Sequence, residues 1–350
     1  MKNGKLKRSE QIRYSIHIAL TTAIFIFSFL LFTSAGSAQL IRSLETIGMT
    51  VADVDRSVEF FSKVLRFEKI TDVEVHGSEY EKLQGLFGLR MRVVRLKLGE
   101  EMIELTQYLA PEGRPIPLEW RSHDHGFQHI AIVVSDMDRA YQQLRNHKVR
   151  HVSTAPQTIP VTNKAAAGIR AFYFKDPDGH NLEIIYFPPG KGDPRWQRNN
   201  DKLFLGIDHS AIVVSNTPSS LKYYRDLLGM KLAGDSFNYG TEQEHLNNVA
   251  GARLHISGLR AAAGPGIELL EYLAPRDGRP APSDTRANDL WYWQTTLTTD
   301  NAANAAQKLR QAKRRVVSPS LANLPENTLS FAKGFLARDP DGHGLQIVER

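Results

Sequence analysis

The chain has 350 residues, a formal net charge of +6 and no cysteine. The length suits two domains rather than one, and the missing cysteine excludes disulfides, thiolate metal ligands and a cysteine nucleophile. Four of the six net positive charges fall within residues 1–38, and the remainder carries no basic stripe interleaved with aromatics, so nucleic acid is not an expected partner.

Residues 1–38 read as a targeting segment. A basic stretch runs to Arg13, an apolar core spans Ala19 to Phe32, and Ser34-Ala-Gly-Ser-Ala38 offers small residues before Gln39. That order predicts a cleaved Sec-type signal peptide and a periplasmic or secreted protein. The alternative is an uncleaved anchor, because about 20 apolar residues span a bilayer. Membrane contact is expected through this segment alone.

The first module, 44–110, opens on the alternating run Thr46-Ile-Gly-Met-Thr-Val51. A helix follows from about Asp55, with Val58, Phe61, Val64 and Leu65 at helical spacing. Strands are expected near Arg92–Leu98 and Met102–Tyr108. The second module, 125–187, opens on His129-Ile-Ala-Ile-Val-Val134, with a helix capped by Ser135-Asp136. Its last two strands flank Asp176-Pro-Asp-Gly179, a tight turn in which Pro presets φ and Gly supplies positive φ. A linker rich in turn formers occupies 188–202. The third module, 203–275, runs from His209-Ser-Ala-Ile-Val-Val214 through a helix near Pro218–Leu228 to Glu268-Leu-Leu-Glu-Tyr272. The fourth, 288–350, starts near Trp291, holds an Ala-rich helix at Ala302–Ala312 and ends on Leu345-Gln-Ile-Val348.

The two halves repeat each other. Ile103-Glu-Leu-Thr-Gln-Tyr-Leu-Ala-Pro111 matches Ile267-Glu-Leu-Leu-Glu-Tyr-Leu-Ala-Pro275, and Asp176-Pro-Asp-Gly-His-Asn-Leu-Glu183 matches Asp339-Pro-Asp-Gly-His-Gly-Leu-Gln346, at offsets of 164 and 163 residues. Such regularity means duplication. Strand, helix and further strands, four times over, predict an α+β protein with curved mixed sheets and helices outside.

Strand alternation sets His129, Glu183, His209 and Glu268 on faces opposite their most apolar neighbours. A single strand His or Glu is ordinarily just solvated or hydrogen-bonded. Here both types recur at matched places in two modules, and two imidazoles with two carboxylates suit Zn²⁺, Ni²⁺, Mn²⁺ or Fe²⁺. His180 and His343 read as turn residues. His123 and His125 precede a cup strand and are candidates for its mouth.

These stretches, with Phe127-Gln-His-Ile-Ala-Ile132, resemble the vicinal oxygen chelate superfamily of glyoxalase I, extradiol dioxygenases, epimerases and bleomycin-resistance proteins. The resemblance covers about residues 44–350. It implies four βαβββ modules forming two glyoxalase-like domains, 44–187 and 203–350, and paired modules closing a cup with four ligand positions for one divalent metal. If modules pair in chain order, the cups hold Thr46, Glu104, His129, Glu183 and His209, Glu268, Trp293, Gln346, both incomplete. If they pair across the halves, His129, Glu183, His209 and Glu268 form one complete set, and Thr46, Glu104, Trp293 and Gln346 form a decayed one, with Trp291 and Trp293 as filler. Crossed pairing is the simpler history, since it concentrates the losses in one cup.

Such a site would chelate a small-molecule substrate through two vicinal oxygens and stabilise an enediolate, with Glu183 as base. A lyase or isomerase is the leading expectation. An extradiol-type dioxygenase and a metal-free binding protein are the alternatives, and the chain could act as a monomer or a homodimer.

Overall fold

The computed structural model describes residues 39–198, 201–325 and 328–350. The targeting segment and its cleavage site lie outside the described residues. Among those described, no helix is long and apolar enough to cross a membrane.

The first module comprises β1 (Ser43–Thr50), α1 (Val54–Leu65), β2 (Glu68–His76), α2 (Ser78–Gln84), β3 (Arg90–Leu98) and β4 (Glu101–Ala110). The second comprises β5 (Gln128–Val134), α3 (Met137–Asn146), the short β6 (Arg150–His151) and β7 (Gln157–Thr158), β8 (Arg170–Lys175) and β9 (Asn181–Tyr186). The third contains β10 (Phe204–Val213), α4 (Thr217–Leu221) continuing as a π-helical turn over Lys222–Leu227, β11 (Lys231–Tyr239), α5 (Thr241–Asn247), β12 (Arg253–Arg260) and β13 (Gly266–Ala274). The fourth contains β14 (Trp293–Thr298), α6 (Ala302–Gln311), β15 (Ala322–Asn323), β16 (Lys333–Arg338) and β17 (Gly344–Glu349).

The leading helix of each module starts on the same device. Asp53, Asp136, Asn216 and Asn301 each accept a hydrogen bond from the backbone N–H three residues on, at 3.0, 3.0, 2.9 and 2.8 Å. Each such cap is worth about 1 kcal/mol. On α1, Val54, Phe61, Val64 and Leu65 are buried, and they join one large core with Ile47 and Met49 of β1 and Ile130 and Ile132 of β5.

The strands form two sheets, and each draws on both halves of the chain. One runs β15-β16-β17-β14-β1-β4-β3-β2, joining the fourth module to the first; the other runs β11-β12-β13-β10-β5-β9-β8-β6, joining the third to the second. The joins are antiparallel, β1 with β14 and β5 with β10. The two repeats that are tandem in sequence are therefore crossed in space. His209 does not open its strand, since β10 starts five residues earlier at Phe204 and is bulged between Ile207 and His209.

Candidate metal centre

The register builds the site in two rows. Across β13, β10, β5, β9 and β8, Glu268, Ala211, His129, Asn181 and Lys175 align; in the next row stand Gly266, His209, Ala131, Glu183 and Tyr173. Paired residues share a face of the sheet, so all four candidate ligands project into one cup. Ala131 and Ala211 lie between them, both wholly buried, and their small side chains leave the centre open.

The four groups converge. His129 Nε2 is 3.0 Å from Glu183 Oε2, His209 Nε2 is 3.7 Å from the same oxygen, and His209 Nε2 is 3.3 Å from Glu268 Oε2. His129, Glu183 and His209 make the tightest group and are buried. Among the described residues Glu268 reaches only His209, and its side chain is 31% exposed. Among the described residues, Nδ1 of His129 has no partner, and its Nε2 meets the Glu183 carboxylate without hydrogen-bond geometry. A buried polar group without a hydrogen bond costs about 1–3 kcal/mol, and a cation shared by Nε2 and Glu183 would satisfy both. The donor set thus fits a divalent metal.

Neighbouring groups orient the imidazoles. The Tyr173 ring lies 4.7 Å from that of His129. His209 Nδ1 donates to Asp208 Oδ2 at 3.0 Å, which turns the Nε2 lone pair towards the cup. Asp208 also receives Arg260 at 2.8 Å and the Trp196 indole N–H at 3.1 Å. Burial alone would raise the Asp208 carboxyl; the hydrogen bond and charge of His209, with Arg260 and Trp196, hold it well below the usual carboxylate range. Burial pulls His209 down, but Glu268, Asp208 and Glu183 outweigh it and raise its pKa to about 9. A metal entering this cup must displace that proton.

The other cup carries a different set. Its rows are Glu104, Gly48, Gln294, Gly344 and Met102, Thr46, Thr296, Gln346. The residue equivalent to His129 is Gln294, not Trp293. Trp293 faces the opposite way, into the helix-side core with Leu297. Reading the aromatic run from Trp291 misses the register by one residue, which flips the face. Gln346 bonds Gln84, Gln294 and Thr296. Arg95 enters this cup from β3, donating to Glu104 at 3.0 Å and to the Leu329 carbonyl at 2.7 Å. Trp291 packs instead against Trp120, 5.8 Å between ring centres.

His180 and His343 do sit in turns, and both tie modules together, through the Leu290 carbonyl at 2.6 Å and the Val213 carbonyl at 2.9 Å. Asp176, Asp178 and His180 also cluster, but each is engaged. Asp176 takes His180 Nδ1 at 2.8 Å, and Asp178 takes the Arg56 guanidinium and the Ala52 N–H. His123 pairs with Asp277 at 3.0 Å. The sequence reading missed Asp208, Tyr173 and the two alanines; the repeated His-x-Ala of His129–Ala131 and His209–Ala211 was the available signal.

A model of the Glyoxalase/Bleomycin resistance protein/Dioxygenase superfamily matches residues 43–184 and 206–347. A 2-epi-5-epi-valiolone epimerase from an Actinomyces species is 36% identical over 163 residues, 45% of this chain and 85% of that protein. Glyoxalase I from Zea mays aligns over 88% of this chain and 92% of its own, at 15% identity and a TM-score of 0.55. A point mutant of the maize enzyme gives 0.59 at 16% identity, over the same shares of each chain.

Proposed function

The chain belongs to the Glyoxalase/Bleomycin resistance protein/Dioxygenase superfamily, and from that premise we propose that the cup shared by its second and third modules is a one-metal active site for proton transfer. The reaction is isomerisation, epimerisation or lyase chemistry at a carbon beside a carbonyl, on a small substrate with two neighbouring oxygens. The observation that carries this reading is the convergence of His129, Glu183, His209 and Glu268, with both nitrogens of His129 lacking any other partner among the described residues. Zn²⁺, Ni²⁺, Mn²⁺ and Fe²⁺ all suit that donor set. When bound, the metal supplies Lewis-acid stabilisation of the oxyanion that develops as the proton leaves.

The chain's own groups move the proton. Glu183 takes it from carbon. Glu268 stands in the other row, meets His209 and is the more exposed carboxylate. In this reading Glu268 returns a proton from the opposite side, as inversion at carbon requires. The epimerase relative supports inversion as the outcome. Tyr173 and Asp208 hold the imidazoles in place. Export through residues 1–38 is part of the same proposal, and N-terminal sequencing of the mature protein tests it.

The experiment pairs metal analysis with exchange of substrate C–H for solvent deuterium. Wild type should hold about one metal per chain and catalyse exchange with hydroxy-carbonyl compounds. His209→Ala should lose both, and Glu183→Gln should lose exchange by 100-fold or more. One observation favours a second reading. The tight group contains two His and one carboxylate, without Glu268, which is the set used by extradiol iron dioxygenases. Oxygen uptake with catechols, no deuterium exchange, and iron retained in Glu268→Gln would establish that reading instead.

A further inference from the structure

A basic residue stands at the same place in each module, on the strand next to the module's last, in the row that leads away from the cup. These are Lys97 opposite Met102, Lys175 opposite Asn181, Arg260 over Gly266 and Arg338 opposite Gly344. Three have settled surroundings. Lys97 is exposed to solvent. Arg260 is bound to Asp208 at 2.8 Å. Arg338 donates to the carbonyls of Gly342 and Thr285 at 2.9 and 3.1 Å.

Lys175 differs. It is half-buried, and its ammonium makes no hydrogen bond or ion pair with any described residue. Burial, then the nearby charge of Arg150, pulls its pKa below the usual lysine value, against the attraction of Asp176. The Asp176 carboxylate is already taken by His180 at 2.8 Å. A half-buried cation without a partner is unfavourable, and here it faces a cavity of about 220 Å³. Trp120 and Trp291 supply apolar wall, while Asn181 supplies an amide. Phe127 also lines the cavity, and its ring lies 5.7 Å from that of His129. Asn181 is the strand partner of His129. The cavity therefore begins beside a candidate ligand, and Lys175 lies two strand spacings, roughly 10 Å, from His129. The corresponding end of the cup at Arg260 is crossed by Trp196 and the Asp208 ion pair.

We propose that this cavity is the substrate subsite of the metal cup, and that Lys175 selects substrates bearing an anionic group, a carboxylate or a phosphate, a few bonds from the reacting carbon. The subsite rests on the proton-transfer reading for its chemistry, but its binding is measurable separately. Quenching of the tryptophans around the cavity reports occupancy. The probes are glyceraldehyde, glyceraldehyde 3-phosphate and tartronate semialdehyde, titrated into metal-loaded wild type, Lys175→Met and Lys175→Arg, with thermal melts to check that each variant is folded.

Wild type should prefer at least one anionic probe to glyceraldehyde, and the probe preferred tells phosphate from carboxylate. Lys175→Met should cut that preference ten-fold or more, and Lys175→Arg should keep most of it. Equal preference in wild type and Lys175→Met, both folded, overturns the assignment even if deuterium exchange proceeds. Anion preference that depends on Lys175 without exchange of any probe upholds the subsite and counts against the proton-transfer reading alone.

Discussion

Arg95 faces Glu104 across β3 and β4, and Gly258 faces Glu268 at the matching place across β12 and β13. In one cup a guanidinium fills the space and neutralises the carboxylate. In the other there is no side chain at that place, and Glu268 meets the His209 imidazole at 3.3 Å instead. A Cβ on Gly258 would meet nothing nearer than 3.8 Å, so a longer side chain can be introduced there without backbone movement. Gly258→Arg should place a guanidinium against Glu268. Metal per chain should then fall from about one towards zero, with the thermal midpoint unchanged or higher. Metal retained at full stoichiometry would show that Glu268 is not part of the set. The converse change, Glu104→Ala, leaves Arg95 buried with only Glu45 at 3.6 Å and the Leu329 carbonyl. It should cost about 3 kcal/mol in denaturant unfolding and leave metal content untouched. Asp208→Asn belongs to the same scale. It should weaken metal affinity by about 10- to 100-fold, read by competition with a chelator.

The turn between β8 and β9 is an element with its own pH dependence. Asp176 accepts the N–H groups of Gly179 and His180 at 2.7 and 2.8 Å and His180 Nδ1 at 2.8 Å. Burial lowers the His180 pKa, but the charge and hydrogen bond of Asp176, the charge of Asp178 and the Leu290 carbonyl raise it above its ordinary value. Burial raises Asp176, and His180 with the backbone donors brings it below. The His180 contribution is therefore fully present below about pH 6.5 and lost as pH rises through its folded value; the Asp176 contribution is present above about pH 4 and lost as pH falls. Thermal midpoints of wild type should decline above pH 6.5 more steeply than those of His180→Gln, and the difference between the two separates His180 from other titrating groups. Parallel curves would remove the pair as a source of stability. This turn was legible in the sequence because Asp-Pro-Asp-Gly-His specifies it locally, as Ser135-Asp136 specifies the start of α3. β2 and β11 were not, because nearly every residue of Glu68–His76 and Lys231–Tyr239 is exposed and an edge strand without a buried face shows no apolar alternation. The candidate ligands His129, Glu183, His209 and Glu268 were legible through the repeat. Gln294 was not, because Trp291-Tyr-Trp gives no hint of which residue faces in. Arg95, Gly258 and Lys175 gain meaning only from strand pairing across residues distant in sequence.

At the scale of the molecule, the crossed sheets make each half of the chain dependent on the other. β1 and β5 belong to the first half, and each finds its antiparallel neighbour, β14 or β10, in the second. A separated half would expose two long central strand edges lined by buried residues, which attract other chains rather than water. The candidate metal set needs both halves too, since His129 and Glu183 come from one and His209 and Glu268 from the other. No second copy of the chain is required to complete it. The linker is tied down after Gly190: Lys191 donates to the Lys164 and Ala165 carbonyls at 2.7 and 2.9 Å, and Arg195 pairs with Glu101 at 2.6 Å. Gly190 itself is exposed, so a protease site inserted there should be cut in the native protein. The two fragments should then elute together as one species, retain about one metal, and separate only in denaturant. Fragments that part in plain buffer would mean that the sheet joins β1–β14 and β5–β10 are too weak to hold the cup, and metal kept by one parted fragment would place the site within that half. Because the cut spares every strand, loss of metal on cleavage could be assigned to separation of the halves rather than to damage at the site.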